Sequence, residues 1–258
     1  VEPLHGTGSF ETPLRKEYRM RLTTALDLKQ ENRKTRMISI VGGGGKTSAL
    51  FTLAYELAGE GEKVLITTTT AMYNPTGISN PNIFVLGDHV TAEGKLKGIS
   101  KEAAERIHTD NQYAYILVEA DGSKGRPIKA PAEHEPVIPD TTDILIGVIG
   151  MDAFGKEITE VNVHRPEILS ALTDPVNGIV DEEVLIKLAC HPQGLFKNCP
   201  GSAGKVLLLN KVFNDRTKEI AIKVGDTIIR ESRTIDRVII GAVREEEPVI
   251  ELIKGSIL

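Results

Sequence analysis

Two hydrophobic patterns alternate along the chain. Short β-branched and apolar runs read as strands: Ile38–Val41, Lys63–Thr70, Ile83–Leu86, Tyr115–Glu119, Asp143–Ile149, Lys205–Asn210 and Arg237–Ala242, with Val249–Ile253 as a further edge. Between them, apolar residues recur at helical spacing. Leu50, Leu53, Ala54, Leu57 and Ala58 share one face of a helix that the Gly59-Glu60-Gly61 stretch stops. Ser100 is placed to cap a helix through His108, and Asp181 one through about Ala189. Ile220, Ala221, Val224 and Ile228 mark a long helix after the Lys205–Asn210 run. Strands alternating with helices predict an α/β fold, a mostly parallel sheet with helices on both faces. Residues 150–200 read as a mixture of short helices and loops.

The N-terminal stretch is different. Pro3, Gly6, Gly8 and Pro13 interrupt residues 1–19, and no period is sustained there. This stretch is expected to be a tag or disordered leader. Met20 would then be a natural start, opening an amphipathic segment with Leu22, Ala25, Leu26 and Leu28. Residues 20–258 are expected to form a single domain.

Between the first strand and the first long helix lies Gly42-Gly43-Gly44-Gly45-Lys46-Thr47-Ser48. Strand, glycine loop, Lys-Thr and helix is the layout of a P-loop. Its backbone N–H groups point at phosphate oxygens, and the helix N-terminus adds partial positive charge. Lys46 would reach the β/γ-phosphates of ATP or GTP, and the Thr47 hydroxyl would bind Mg²⁺. The general pattern has a glycine where this chain has Ile40. A shorter form, Lys-Gly-Gly-x-Gly-Lys-Thr, fits at Gly42, Gly43, Gly45, Lys46 and Thr47, with Val41 in place of its first lysine. No lysine at that position can therefore reach a partner subunit's phosphates.

Ligands of doubly wound sheets bind beyond the carboxyl ends of the strands. The third long strand ends in Glu119 and Asp121, and either could hold Mg²⁺ with Thr47. Asp121 also opens a glycine-containing loop able to sense a γ-phosphate. The second strand ends in Thr67–Thr70, of which Thr69 and Thr70 are the better candidates for phosphate or metal. Asn210-Lys211 stands where GTP-binding proteins often carry Asn-Lys-x-Asp. Phe213 occupies the Asp position, so the choice of base stays open. The loop 122–139 is basic and broken by prolines. Lys124, Arg126 and Lys129 could bind an anionic substrate, with Lys124 close enough to Asp121 to serve catalysis. Glu133, His134 and Glu135 could act as acid or base groups or as metal ligands. Cys190, His191 and Cys199 lack a standard metal-ligand spacing and read as packing residues.

Charge and composition narrow the class. A net charge of −5 in 258 residues, with no Trp, gives no ground to expect a nucleic-acid partner. No apolar run approaches the ~18 residues of a membrane span, so no membrane partner is expected. Two cysteines make a reducing cytoplasm the expected location.

The stretch Val118–Pro139 resembles the YqeC family. The Val41–Ser48 loop, the Thr67–Thr70 run, His191–Leu195 and Asn210–Val212 are similar to it as well. That family is described as accessory proteins of selenium-dependent molybdenum hydroxylases. The resemblance implies a P-loop NTPase acting in maturation or insertion of a selenium-containing cofactor. A molybdenum hydroxylase, or the proteins that make its cofactor, would be its partners. Two alternatives stay open: a small-molecule kinase whose acceptor sits on the 122–139 loop, and a metal or selenium carrier switched by nucleotide.

Overall fold

The computed structural model describes residues 20–28 and 34–255; the leader expected over residues 1–19 lies outside the described residues. Twelve strands follow in chain order: β1 (Arg36–Gly42), β2 (Val64–Thr68), β3 (Ala71–Tyr73), β4 (Ile83–Val85), β5 (Lys95–Lys97), β6 (Tyr115–Glu119), β7 (Ile128–Lys129), β8 (Ile144–Gly150), β9 (Val163–His164), β10 (Gly204–Asn210), β11 (Arg237–Gly241) and β12 (Val249–Lys254). Eight of them form one sheet in the order β12-β11-β10-β8-β1-β6-β2-β4. Every pairing in it is parallel except β11 with β12.

Alternation within each buried strand explains the two-sided core. In β1, Met37 and Val41 point to one face and Ile38 and Ile40 to the other. Ile116 and Val118 of β6 likewise oppose Tyr115 and Leu117. One face is covered by α3 (Lys101–Thr109), α4 (Pro166–Thr173), α5 (Glu182–Cys190) and α6 (Asp215–Glu231), which bury Ala104, Leu169, Leu185, Leu188 and Val224. The other face is covered by α1 (Leu22–Ala25) and α2 (Lys46–Gly59), through Leu22, Leu50, Leu53 and Leu57. Ser100 accepts from Ala103 N–H and Asp181 from Val184 N–H, so both expected caps form.

The second strand is shorter than its β-branched run suggests. Thr69 and Thr70 leave the ladder, because Thr68 Oγ1 bonds Glu119 O at 2.7 Å and Thr69 Oγ1 bonds Val137 O at 2.7 Å. Two ribbons were not legible: β3 pairs antiparallel with β5, and β7 pairs parallel with β9. The second puts Lys129 opposite His164 and folds the segment after Asp121 back over the glycine loop. Cys190 and Cys199 are half-buried free thiols packed against the core, as expected of packing residues. Burial pushes the Cys190 thiol up to about 11, with Glu231 adding to the effect. Among the described residues no helix is long and apolar enough to cross a membrane.

Candidate functional site

The glycine loop joins the end of β1 to the start of α2 in the plane where β6, β8 and β10 also end. Gly44 and Gly45 adopt φ of 79° and 124°. A Cβ on Gly44 would lie 2.3 Å from Gly150 Cα, and one on Gly45 2.4 Å from Asn210 Nδ2. Conformation and space both demand glycine there. Three of the four glycine amides have protein acceptors. Gly42 N–H donates to Asp121 at 3.0 Å, Gly43 N–H to Val148 O at 2.9 Å, and Gly44 N–H to Arg126 O at 2.9 Å. The expected cradle of Gly42–Gly45 is therefore displaced in this structure. The donors that face the groove begin at Gly45 and continue into the first turn of α2, whose N–H groups have no intrahelical acceptor.

Lys46 is only 3% exposed. Its ammonium donates to Gly42 O at 2.7 Å and lies 3.3 Å from Asp121 and 3.8 Å from Glu119. Thr47 Oγ1 donates to Glu119 Oε2 at 2.8 Å. Burial pushes the Glu119 carboxyl above its ordinary range, against the pull of Lys46 and Thr47. Of the two carboxylates, Glu119 is the one that meets Thr47. Asp121 is committed to Gly42 N–H, Lys46 and Lys129. Ser48 Oγ accepts from Arg244 Nε at 2.9 Å. Val41 is fully buried beneath the loop, so its side chain faces the core.

A chain of alternating charges leads away from the P-loop. Lys129, 1% exposed, sits 2.9 Å from Asp121 and 2.7 Å from Glu135. Glu135 accepts in turn from Arg165 Nη1 at 2.5 Å. Burial raises the Glu135 carboxyl, but the bonds from Arg165 and Lys129 outweigh it and lower its pKa to about 2. Lys129 is thus a buried bridge, unavailable to an anionic substrate; the ribbon that pairs β7 with β9 turns it inward. Glu133 is exposed and does not line the groove. Lys124, Arg126 and His134 do line it. Glu135, expected as an acid, base or metal-ligand candidate, is instead taken up by Lys129 and Arg165, and Arg165 was not anticipated. Thirty residues separate Glu135 from Arg165, and no local pattern joins them.

The opposite end of the groove is formed by the strand ends of β8, β10 and β11. Asn210, expected to read a base, also holds loops together. Its Nδ2 donates to Gly44 O at 2.8 Å and its Oδ1 accepts from Val243 N–H at 3.1 Å. One N–H of its amide remains beyond these bonds. Lys211 is ion-paired with Asp152 at 2.9 Å. Phe213, 63% exposed, lines the groove beside it. The whole groove has a volume of about 1750 Å³.

A glycine loop between a buried parallel strand and a helix start, with its lysine and threonine facing carboxylates at the end of the adjacent strand, defines a P-loop nucleotide-binding fold. The chain belongs to the YqeC family. The family model, described as YqeC protein, matches residues 38–167. The protein named "Uncharacterized protein YqeC" from Escherichia coli (strain K12) is 37% identical over 207 residues, which is 72% of this chain and 79% of that protein. Among solved structures, FtsY from Mycoplasma mycoides is similar at 15% identity and a TM-score of 0.45. That alignment covers 88% of this chain and 65% of FtsY, so the chain spans just under two thirds of that structure's length.

Proposed function

We propose that the chain binds a Mg²⁺-nucleoside triphosphate, ATP or GTP, and hydrolyses it. The observation that carries the reading is the meeting of Lys46, Thr47 and Glu119 at the mouth of one groove, with Thr47 Oγ1 2.8 Å from the Glu119 carboxylate. A hydroxyl and a carboxylate on adjoining elements make an oxygen donor pair suited to a hard cation. Thr47 and Glu119 would hold Mg²⁺, which neutralises phosphate charge when bound. Asp121 keeps the glycine loop and Lys46 in place. Lys46, exchanging Gly42 O for phosphate oxygen, and the N-terminal amides of α2 bind and orient the triphosphate. Water would attack the terminal phosphorus, and the bond to the bridging oxygen would break. Catalysis here is positioning and charge neutralisation. Lys211, Phe213 and the 242–245 turn form the base end.

The biological setting follows from the family resemblance. The chain would act in the cytoplasm in maturation or insertion of the cofactor of a selenium-dependent molybdenum hydroxylase, with the hydroxylase or its cofactor-biosynthesis proteins as partners. Phosphate release and equilibrium nucleotide binding test the chemistry. Lys46→Ala is expected to weaken triphosphate binding at least ten-fold and abolish turnover. Unchanged affinity and turnover would sink the P-loop reading. Hydroxylase activity in cells carrying only the Lys46→Ala chain tests the setting, and full activity there would remove it.

A further inference from the structure

The groove holds more room and more positive charge than one Mg²⁺-triphosphate needs. Its volume of about 1750 Å³ exceeds the ~300–1,000 Å³ typical of a single small-ligand site. Eight Lys and Arg residues line it against five carboxylates, although the chain as a whole carries −5. The surplus is uneven. Lys46, Lys211 and Arg244 are tied to groups around the P-loop and the base end. On the wall after β6, the side chains of Lys124 and Arg126 have no hydrogen-bond or ion-pair partner among the described residues. Arg165 stands on the same wall. Its Nη1 serves both Glu135 and Ala130 O, and its Nε and Nη2 have no partner among the described residues. Arg165 and Lys124 are held with φ of 69° and 50°, a conformation that costs a non-glycine residue energy and recurs at ligand-binding sites. His164 completes the wall. Burial above all, with the cations Arg165, Lys129 and Lys124 adding to it, holds its pKa down to about 4.

We propose that Lys124, Arg126 and the free edge of Arg165 form a second anion site, which binds a phosphate-type oxyanion of a second ligand in the groove beside the nucleotide. A planar guanidinium with two unused donors matches such a group, and two unpaired cations neutralise it. Glu135 does not oppose the charge, because Lys129 and Arg165 already compensate it. Neutral His164 can donate or accept one more hydrogen bond. The oxyanion could be free or part of a larger acceptor. That the second ligand lies beside a triphosphate rests on the function proposed above.

The test uses inorganic phosphate as probe and the full chain, followed by titration calorimetry. Phosphate is expected to bind saturably when the chain is already filled with Mg²⁺ and a non-hydrolysable triphosphate. The doubly substituted Lys124→Ala/Arg126→Ala chain should bind phosphate at least ten-fold more weakly, with a smaller change in triphosphate affinity and a melting temperature near that of the parent. Phosphate binding that vanishes once the triphosphate is bound would overturn the proposal, since the cations would then serve the nucleotide's own terminal phosphate. Phosphate affinity unchanged in the double variant, or an equal loss of triphosphate affinity, would overturn it too. If the chain bound no triphosphate, the proposed function would fall. Phosphate titrated into the chain alone would still decide whether Lys124 and Arg126 make an anion site.

Discussion

Replacing Glu135 by Gln isolates the charge in the middle of the bridge from the P-loop to Arg165. The shape is conserved, so packing is nearly untouched and the electrostatics change alone. The native carboxyl titrates at about 2 against an ordinary value of 4.5. Each pKa unit is worth ~1.36 kcal/mol, so the charge contributes at most about 3 kcal/mol to folding at neutral pH, and solvent screening brings it below that ceiling. Gln still offers one acceptor to Arg165 or Lys129, which reduces the expected loss to about 2 kcal/mol. Folding lowers this pKa, so the stabilisation is complete above about 4.5 and is lost as pH falls toward about 2. Urea unfolding of both chains at pH 7 and pH 3 measures it. The gap between them should shrink by more than half on going to pH 3. A gap that stays the same at both pH values would refute the reasoning, because it would then come from packing rather than from the titrating charge. A gap below ~0.5 kcal/mol at pH 7 would place the bridge among surface ion pairs in its effect.

Other outcomes follow from the same geometry. Asn210→Ala leaves Gly44 O and Val243 N–H without their buried partner, so urea unfolding should show a loss of about 2–4 kcal/mol. Triphosphate affinity should fall with it, as the glycine loop loses its tether. Thr47→Ala should weaken Mg²⁺-dependent nucleotide binding while Thr47→Ser restores it, since Ser keeps the hydroxyl that meets Glu119; equal metal dependence in all three chains would exclude Thr47 from the site. Cys190, held at about 11, should react with iodoacetamide at pH 8 on the order of 100-fold more slowly in the folded chain than after unfolding, because only the thiolate is nucleophilic.

The parallel sheet was legible because its strands are buried on both faces, which leaves short apolar runs such as Ile38–Val41 and Lys205–Asn210. The caps at Ser100 and Asp181 were legible because a cap is a local hydrogen bond. The ribbons β3–β5 and β7–β9 were not, for a matching reason. They are two or three residues long, too short for any period, and their partners lie far off in sequence. The same limit explains the site. Lys46, Thr47 and Glu119 follow from the end of a strand and the start of a helix. Lys129 read as an exposed loop cation because only its pairing opposite His164 turns it inward between two carboxylates. Asn210 read as a base contact because motif spacing identifies where a side chain stands, whereas its partners depend on the Val243 turn and on how closely Gly44 approaches.

The glycine loop meets the segment 126–128 through main-chain groups. Gly44 N–H bonds Arg126 O, and the space beside Gly43 and Gly44 is closed by the carbonyls of Arg126 and Pro127. Evolution, or an engineer, is therefore free to exchange the residue at position 126 without disturbing the scaffold, provided the backbone path is kept. If the proposed second anion site exists, preference for its ligand can change at position 126 while the path of the glycine loop stays constant.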